Sequence, residues 1–361
     1  MKIIIGADVV PTAATEKYFV CADMQKLFGD VVKITKSADR VIVNLECALT
    51  ECEEGIAKFG PNLKASPKCT EALKALGVTE VALSNNHTFD FGIKGFLDTV
   101  SALDAAGLPS FGYGENDTAS RKPYFIEAEG KRIAIINVCE HEYSYATPDR
   151  LGANPFDPFL TMQDIRAAKE VSDFVIVLYH GGKEYCRYPS PRLYNLCHEM
   201  VLCGADVVLT QHSHCIGCYE QFEGGHILYG QGNFNFSYGT APKANGWYES
   251  LLVELNIDKT VSVSFHPLIT NETGCDLARG GKAVEILTDF NKRNLSLKDG
   301  TWRDGWRAFC FSEEIEDRYR KAVEAQLSDE KSKQLFAHYL DCEAHTDVLR
   351  ELYPTWNAKN R

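Results

Sequence analysis

The chain has 361 residues, 45% of them hydrophobic, and its formal net charge is −12. That apolar content is sufficient for a buried core and excludes an intrinsically disordered chain. The negative charge and the absence of any basic run argue against nucleic acid as a partner, because such a surface repels phosphate backbones.

The N-terminus and the cysteines indicate the compartment. The apolar run at residues 3–5 is soon followed by Asp8 and is too short for a signal peptide. No stretch approaches the roughly eighteen apolar residues of a membrane span. Thirteen scattered cysteines, an odd number, are typical of reduced thiols rather than of a disulfide framework. We therefore expect a cytoplasmic protein without a membrane segment.

Short β-branched runs alternate with segments of helical period through the first part of the chain. This alternation predicts an α/β protein with a largely parallel sheet, in which ligands bind beyond the carboxyl ends of the strands. The predicted strands are Lys2–Ile5, Val41–Val43, Val81–Leu83, Phe174–Tyr179 and Asp206–Thr210, each followed closely by polar residues. The predicted helices are Glu16–Leu27, Thr70–Leu76, Ile93–Ala106 and Leu193–Leu202.

Later strands follow one another without intervening helices. The runs Ile227–Tyr229, Leu251–Ile257 and Val261–Phe265 predict an antiparallel meander that completes a second sheet. A helix over about Ala283–Asn294 would close this domain, so we predict a main domain at residues 1–297.

From about Leu297 onward the composition changes to charged helical segments, at roughly Glu313–Gln326 and Asp329–Tyr339. We predict that residues 298–361 form a helical extension packed on the main domain. The aromatic residues expected to dock it are Trp302, Trp306, Phe309 and Phe311.

The strand ends carry side chains of metal-ligand type. Ions such as Mn, Fe or Zn favour mixed imidazole and carboxylate ligands. Two imidazoles separated by one residue point to the same side of a strand end, and a third imidazole at another strand end would face them. The predicted ligands are Asp8, Glu46, Asn86, His180, His212 and His214.

Six short segments contain these ligands and their neighbours. They are Gly6-Ala7-Asp8, Asn44-Leu45-Glu46, Asn85-Asn86-His87-Thr88-Phe89-Asp90-Phe91-Gly92, His180-Gly181-Gly182-Lys183-Glu184-Tyr185, Gln211-His212-Ser213-His214 and Tyr229-Gly230-Gln231-Gly232-Asn233-Phe234. Together they resemble the capsule-synthesis CapA family over roughly residues 1–297, and the Asn-Asn-His-x-x-Asp-x-Gly segment is the most specific. Members of that family are associated with poly-γ-glutamate capsule production and are similar to calcineurin-type metallophosphatases.

The resemblance implies a four-layer α/β/β/α metallophosphatase-like sandwich and a site for one or two divalent ions. His87 would be a general acid or a transition-state donor. One ion would be held by Asp8, Glu46 and His214, and the other by Glu46 as a bridge with Asn86, His180 and His212.

The chain also departs from the metallophosphatase pattern. The usual Asp-x-His opening is absent, since Asp8 is followed by Val9 and Val10, and Glu46 replaces the bridging aspartate. At residues 211–214 Gln-His-Ser-His replaces the family's usual His-His-Pro-His, and at residues 180–182 His-Gly-Gly replaces its His-Trp-Gly. With one ligand missing, we expect the position that contains His180 to fill first, and purified protein to hold nearer one metal than two.

Several neighbouring residues have two interpretations. Asp90 would either orient the His87 ring or cap the helix that starts near Ile93. The candidate substrate-binding residues are Asn44, Glu184, Tyr185 and Asn233, each of which is equally consistent with a turn brace or a solvated loop position.

The pair Cys215-x-x-Cys218 suggests a rival structural zinc site with a neighbouring histidine. Such sites need a fourth ligand from a matching knuckle, and the sequence has no second Cys-x-x-Cys.

Two functions remain open at this point. The first is a metal-dependent hydrolase that acts on an anionic small molecule or polymer, at a phosphoester bond or at an amide of poly-γ-glutamate. The second is a non-catalytic accessory protein for polyglutamate or capsule synthesis.

Overall fold

β-strands form the framework of the protein, in a computed structural model that describes residues 1–241, 243 and 246–354. Several strands are nearly continuous apolar runs, the pattern of strands that are buried on both faces. In chain order the strands are β1 (Lys2–Val9), β2 (Arg40–Leu45), β3 (Ala48–Leu49), β4 (Lys64–Ala65), β5 (Glu80–Ala82), β6 (Ser110–Phe111), β7 (Tyr113–Gly114), β8 (Tyr124–Ala128), β9 (Lys131–Cys139), β10 (Gly152–Ala153), β11 (Phe174–His180), β12 (Val207–Gln211), β13 (Ile216–Phe222), β14 (Gly225–Gln231), β15 (Asn233–Asn235), β16 (Glu249–Ile257), β17 (Val261–Thr270) and β18 (Cys275–Leu277).

Helices connect the strands and form the C-terminal part. The predicted helix over residues 16–27 is instead two short helices, separated by a turn in which Ala22 has a φ of 51°. The other predicted helices are confirmed. In chain order the helices are α1 (Glu16–Val20), α2 (Met24–Phe28), α3 (Val31–Thr35), α4 (Thr70–Leu76), α5 (Gly92–Ala106), α6 (Asp117–Ser120), α7 (Pro158–Glu170), α8 (Pro191–Leu202), α9 (Gly280–Asp299), α10 (Trp302–Cys310), α11 (Glu313–Ala325), α12 (Glu330–Asp341) and α13 (Glu343–Leu352), with a 3-10 turn at Pro67–Cys69.

The long strands pair into two mixed sheets. The first has the order β18-β17-β16-β1-β2-β5-β6, with β15 also beside β1, and the second has the order β13-β14-β12-β11-β9-β8. The predicted meander is correct in part: β16 and β17 pair antiparallel, but the three strands do not share one sheet. β14 lies in the second sheet parallel to β12, whereas β16 and β17 extend the first sheet beside β1.

Alternate residues of the strands face different layers. In β1, Ile3 and Ile5 pack between the two sheets against Ile176 and Leu178 of β11, whereas Ile4 faces the helices outside the first sheet. Helices α7 and α8 cover the outer face of the second sheet. The predicted four-layer α/β/β/α sandwich is therefore confirmed.

The C-terminal extension is helical and packs beside the second sheet. Trp302 is buried and stacks on Tyr194 of α8, with ring centroids 4.6 Å apart. Trp306 is buried in a separate small core, with Phe309 against it. Phe311 is 45% exposed, so its predicted docking role is wrong. A domain boundary at 297/298 falls within α9 and stays a prediction, and residues 355–361 lie outside the described residues.

Across residues 1–241, 243 and 246–354, no helix combines the length and the apolar character that crossing a membrane requires.

Candidate metal centre

The carboxyl ends of the parallel strands of both sheets meet at one edge of the sandwich. Asp8 is the penultimate residue of β1, Glu46 directly follows β2, and His180 ends β11. His212 and His214 follow β12, and all six predicted ligands, including the Asn86 side chain after β5, are buried. The edge at which ligands bind in parallel sheets is therefore the edge at which these side chains meet.

Glu46 belongs to two sets of ligand atoms. It forms one set with Asp8 and His180 and another with His212 and His214, and the atoms of each set lie within 4.8 Å of one another. His180 Nε2 is 3.3 Å from Glu46 Oε1. These sets divide the histidines differently from the resemblance, which places His180 and His212 on the same ion. The two rings are 4.9 Å apart, a separation compatible with either division.

The unpaired atoms of the centre provide a test of whether the residues fit a metal ion. Both Glu46 carboxylate oxygens and His212 Nδ1 are buried without a hydrogen-bond partner among the described residues. Burial, followed by the charge of Asp8, raises the pKa of Glu46 well above its usual range. Burial also lowers the pKa of His180 to about 4, which keeps the ring in the neutral form that binds metals. Carboxylate, imidazole and amide donors of this kind fit a divalent ion of the Mn, Fe or Zn type.

The charges around the centre lead to the same conclusion. Burying uncompensated charge costs several kcal/mol per ion, roughly, unless a counter-charge is present. Five carboxylates converge here, against two nearly buried ammonium groups, so negative charge is in excess when all are ionised. The carboxylates are those of Asp8, Glu46, Asp90, Glu142 and Glu184, and the ammonium groups are those of Lys58 and Lys183.

Two asparagines hold the candidate ligands in position. Asn44 Nδ2 donates to Asp8 Oδ1 at 2.8 Å and lies 3.2 Å from His180 Nδ1. Asn233 Oδ1 lies 2.8 Å from His214 Nδ1. A partner on the second ring nitrogen fixes the orientation and tautomer of a ligating histidine. Both asparagines therefore contact candidate ligands rather than bracing only their own turns.

His87 lies beside the centre in a network with Asp90 and Lys58. Asp90 Oδ2 accepts hydrogen bonds from His87 Nδ1 and from the Leu63 backbone N–H, each at 2.6 Å, and the Lys58 ammonium contacts both Asp90 and His87. The N-cap of α5 is Phe91 and has no side-chain cap, so Asp90 orients the imidazole and does not cap the helix. Burial, followed by the charge of Lys58, lowers the pKa of His87 to about 4. The ring is then neutral near pH 7, which favours a role as a hydrogen-bonding group over that of a protonated general acid.

Glu184 and Tyr185 follow β11 on the more open side of the centre. Glu184 Oε1 is 4.0 Å from His214 Nε2, and the Tyr185 ring is 6.2 Å from the His214 ring. The backbone is in the left-handed region at Tyr185, His212 and His214, with φ of 64°, 85° and 53°. Such conformations are unfavourable for residues other than glycine and cluster at functional sites.

The structure adds residues that no sequence pattern singled out. Glu142 follows β9, and its Oε2 accepts a hydrogen bond from Asn86 Nδ2 at 3.1 Å and lies 3.5 Å from His212 Nε2. Burial, followed by the charge of Glu184, raises the pKa of Glu142 to about 8. A search of the residues after every strand would have found Glu142, whereas Lys58 lies in a loop with no pattern.

The rival zinc site at Cys215 and Cys218 has no support. Both thiols are free and buried, and no group of potential metal ligands within the described part of the chain contains a cysteine. Cys218 Sγ instead lies 3.4 Å from the Arg187 carbonyl oxygen.

The fold and this buried centre define the class: a four-layer α/β/β/α protein with a candidate site for divalent metal ions. Residues 2–238, more than half of the chain, match the family model described as "Bacterial capsule synthesis protein PGA_cap". The chain belongs to this family, which confirms the predicted resemblance.

Three curated relatives have names that refer to the synthesis of a capsule, PGA or polyglutamine. The capsule biosynthesis protein CapA of Bacillus anthracis is 32% identical over 222 residues, which are 59% of this chain and 54% of that protein. The PGA biosynthesis protein CapA of Bacillus subtilis is 28% identical over 236 residues, 64% of this chain and 62% of that one. A "Probable polyglutamine synthesis accessory protein" of Mycobacterium tuberculosis is 28% identical over 246 residues, 64% of this chain and 63% of that one. The chain thus spans less than two thirds of these relatives.

Two solved structures are also similar. A hypothetical protein from Thermus thermophilus is 17% identical with a TM-score of 0.48, over 74% of this chain and 98% of that one. A novel phosphatase from Mycoplasma pneumoniae is 17% identical with a TM-score of 0.48, over 74% of this chain and 93% of that one. Similarity at this level carries no information about activity.

Proposed function

We propose that this chain is a metal-dependent hydrolase of the phosphoesterase type that acts on an anionic substrate. The observation that carries this proposal is the Glu46 carboxylate, which is buried, has no hydrogen-bond partner among the described residues, and is common to two sets of ligand atoms. Divalent ions bound there would supply the Lewis acidity that polarises the scissile bond and activates the attacking water.

The charge balance supports an anionic substrate. With both metal positions filled, two divalent ions carry four positive charges, one more than the excess of three negative charges in the centre when all its carboxylates are ionised. A metal cluster of this kind attracts an anion locally although the chain as a whole is acidic. The names of the relatives, which refer to capsule and polyglutamate synthesis, make a polyanionic γ-glutamyl polymer or a phosphorylated precursor the substrate classes to test first.

The chain's own residues would orient the reaction. Asn44 and Asn233 hold candidate ligands, and Asp90 holds the His87 ring with a hydrogen bond of 2.6 Å. His87 is then a positioned hydrogen-bonding group for the substrate, while Glu184 lies at the more exposed side, with 34% of its side chain accessible. We propose that the substrate enters from that side.

The second candidate function is a non-catalytic accessory protein. Val10 occupies the place of a metal-ligating histidine in the metallophosphatase pattern, and one relative is named as an accessory protein. A centre short of one ligand could hold an ion for structural reasons alone.

The test combines metal analysis with hydrolysis by the purified chain. The substrates are bis(p-nitrophenyl) phosphate, p-nitrophenyl phosphate and poly-γ-glutamate, each assayed with EDTA and with added Mn²⁺. We expect metal-dependent cleavage of at least one phosphate ester. His212→Ala should reduce the rate by more than the roughly 10–100-fold that loss of an outer-shell partner causes.

His266→Ala is the matched control, because this histidine pairs with Glu254 at 3.1 Å and belongs to none of the ligand groups within the described residues. Its activity should equal that of the wild type. Bound metal with no hydrolysis of the three substrates would favour the accessory function, and cleavage of poly-γ-glutamate alone would replace the phosphoester by an amide. A wild type that binds no metal would contradict the proposed hydrolase, whether its substrate is a phosphoester or an amide.

A further inference from the structure

We propose that the C-terminal extension forms a second, separate site for a divalent cation, with Glu142, His338 and His345 as ligands. His338 lies on α12, His345 lies on α13, and Glu142 lies in the loop after β9. One ligand atom from each of these residues lies within 4.8 Å of the others. Three elements that are distant in the chain thus direct metal-binding atoms into one small volume.

The Glu142 carboxylate faces both centres. Its Oε1 is 3.3 Å from His338 Nε2, and its Oε2 is 3.5 Å from His212 Nε2. A carboxylate with one oxygen toward each of two ligand sets has the geometry of a bridge between neighbouring cations. The proposed site therefore adjoins the first centre.

Neighbouring side chains hold both imidazole rings in position, as is usual for histidines that bind metals. His345 Nδ1 is hydrogen-bonded to the Tyr319 hydroxyl, which leaves Nε2 as the nitrogen available to a cation. A ligating histidine commonly uses its other ring nitrogen in this way, so that its tautomer and orientation are set. His338 is buried, and its ring stacks on Tyr143 with a centroid separation of 4.8 Å.

The donor set and the surrounding space both suit a cation. Two imidazoles and one carboxylate form the three-ligand set of zinc sites that keep a further position open. A cavity of about 610 Å³ lies beside His338 and is lined also by Lys58, Tyr143 and Gln334. His338 therefore borders a cavity that is open to solvent.

An ordinary ion pair between the loop and the extension would need only one histidine. Two imidazoles that each place a nitrogen within 4.8 Å of one carboxylate oxygen exceed that requirement, since a second ring adds ligating nitrogen and no positive charge unless it is protonated. Both histidines also lie beyond residue 238, where the match to the family ends. Two of the three proposed ligands therefore lie outside the part of the chain that matches the family, and only Glu142 lies within it.

The test is the metal stoichiometry of the full-length chain. Wild type, His212→Ala and the double variant His338→Ala/His345→Ala are stripped with chelator, loaded with Zn²⁺ and analysed by native mass spectrometry and elemental analysis. We expect the double variant to bind one Zn²⁺ fewer than the wild type and to keep the metal of the first centre. An unchanged stoichiometry would overturn the proposal.

His141→Ala is the matched control. His141 Nδ1 lies 2.7 Å from Glu343 Oε1, so this variant removes a contact between the same loop and α13 without touching the proposed ligands. It should bind as much Zn²⁺ as the wild type. If the control lost as much Zn²⁺ as the double variant, undocking of the extension and not loss of ligands would explain the result, and the site would be refuted.

His345→Gln is a second variant for the case in which the double alanine variant does not fold. Glutamine retains hydrogen-bonding capacity toward Tyr319 but removes the imidazole, so the variant should also bind one Zn²⁺ fewer. Retention of full stoichiometry in folded His345→Gln would contradict the proposal. Because the readout is a count of ions, failure of the hydrolase proposal leaves this result interpretable: a first centre without metal would lower the counts of wild type and double variant equally.

Discussion

Glu46→Gln separates the effect of a buried charge from the effect of a bound cation. Glu46 is 0% exposed, and neither of its oxygens has a hydrogen-bond partner among the described residues. Without metal, the folded protein must hold an unpaired carboxylate or take up a proton, and both reduce its stability. An unsatisfied buried polar group costs about 1–3 kcal/mol, and a charged one costs more. The neutral amide should therefore raise the free energy of unfolding in chelator by about 1 kcal/mol or more.

Added metal should reverse the order of the two proteins. A ligand that binds only the folded state stabilises it by about 2.7 kcal/mol when its free concentration is 100 times Kd. The wild type should gain stabilisation of this size with Mn²⁺ or Zn²⁺. Glu46→Gln should gain little, because the lost carboxylate belongs to both ligand sets. The variant should be the more stable protein in EDTA and the less stable one in metal.

The assay is urea unfolding followed by near-ultraviolet circular dichroism, in EDTA and in a metal series. Glu80→Gln is the control, because Glu80 is also a buried carboxylate whose pKa is raised by burial, but it belongs to none of the ligand groups in the described part of the chain. The control should respond to metal as the wild type does. Equal metal stabilisation of wild type and Glu46→Gln would refute the assignment of Glu46 as the shared ligand.

Two further predictions concern metal content and pH. If Asp8 and His180 hold different ions, as the resemblance implies, His180→Ala should leave the purified protein nearly free of metal, whereas Asp8→Ala should retain the tightly bound ion. Equal metal loss in both variants by elemental analysis would contradict this division and favour the set in which Asp8 and His180 share an ion. His226 accepts a hydrogen bond from the Tyr219 hydroxyl at Nδ1 and donates from Nε2 to the Val261 carbonyl oxygen, and burial lowers its pKa below 6.5. Because the unfolded chain then binds a proton that the folded chain does not, wild-type stability should fall as pH decreases below about 6.5, and the fall should be smaller in His226→Gln. Identical pH profiles in urea titrations would disprove this role.

Much of the fold was accessible from local pattern. Strand and helix periods differ, and parallel strands separated by helices place their carboxyl ends at one edge, so the polar residues after β1, β2, β5, β11 and β12 could be expected to meet. The assignment of β16 and β17 could not be read in this way. An antiparallel strand can pair with either sheet, and the choice depends on which edge of β1 is free, which is a property of the assembled sheet.

Residues such as Asp8, Glu46 and His180 were recognisable in the chain because each follows an apolar run, and strand geometry then determines where their side chains lie. Glu142 also follows an apolar strand, β9, and could have been found in the same way, whereas His338 had no such signal. Their contact joins residues almost two hundred positions apart, and it exists because α12 packs over the loop after β9. Helical period specifies that α12 has a buried face, but it does not specify which surface that face covers. The meeting of the C-terminal histidines with the metal centre therefore depends on how the extension docks, and only the folded chain reveals it.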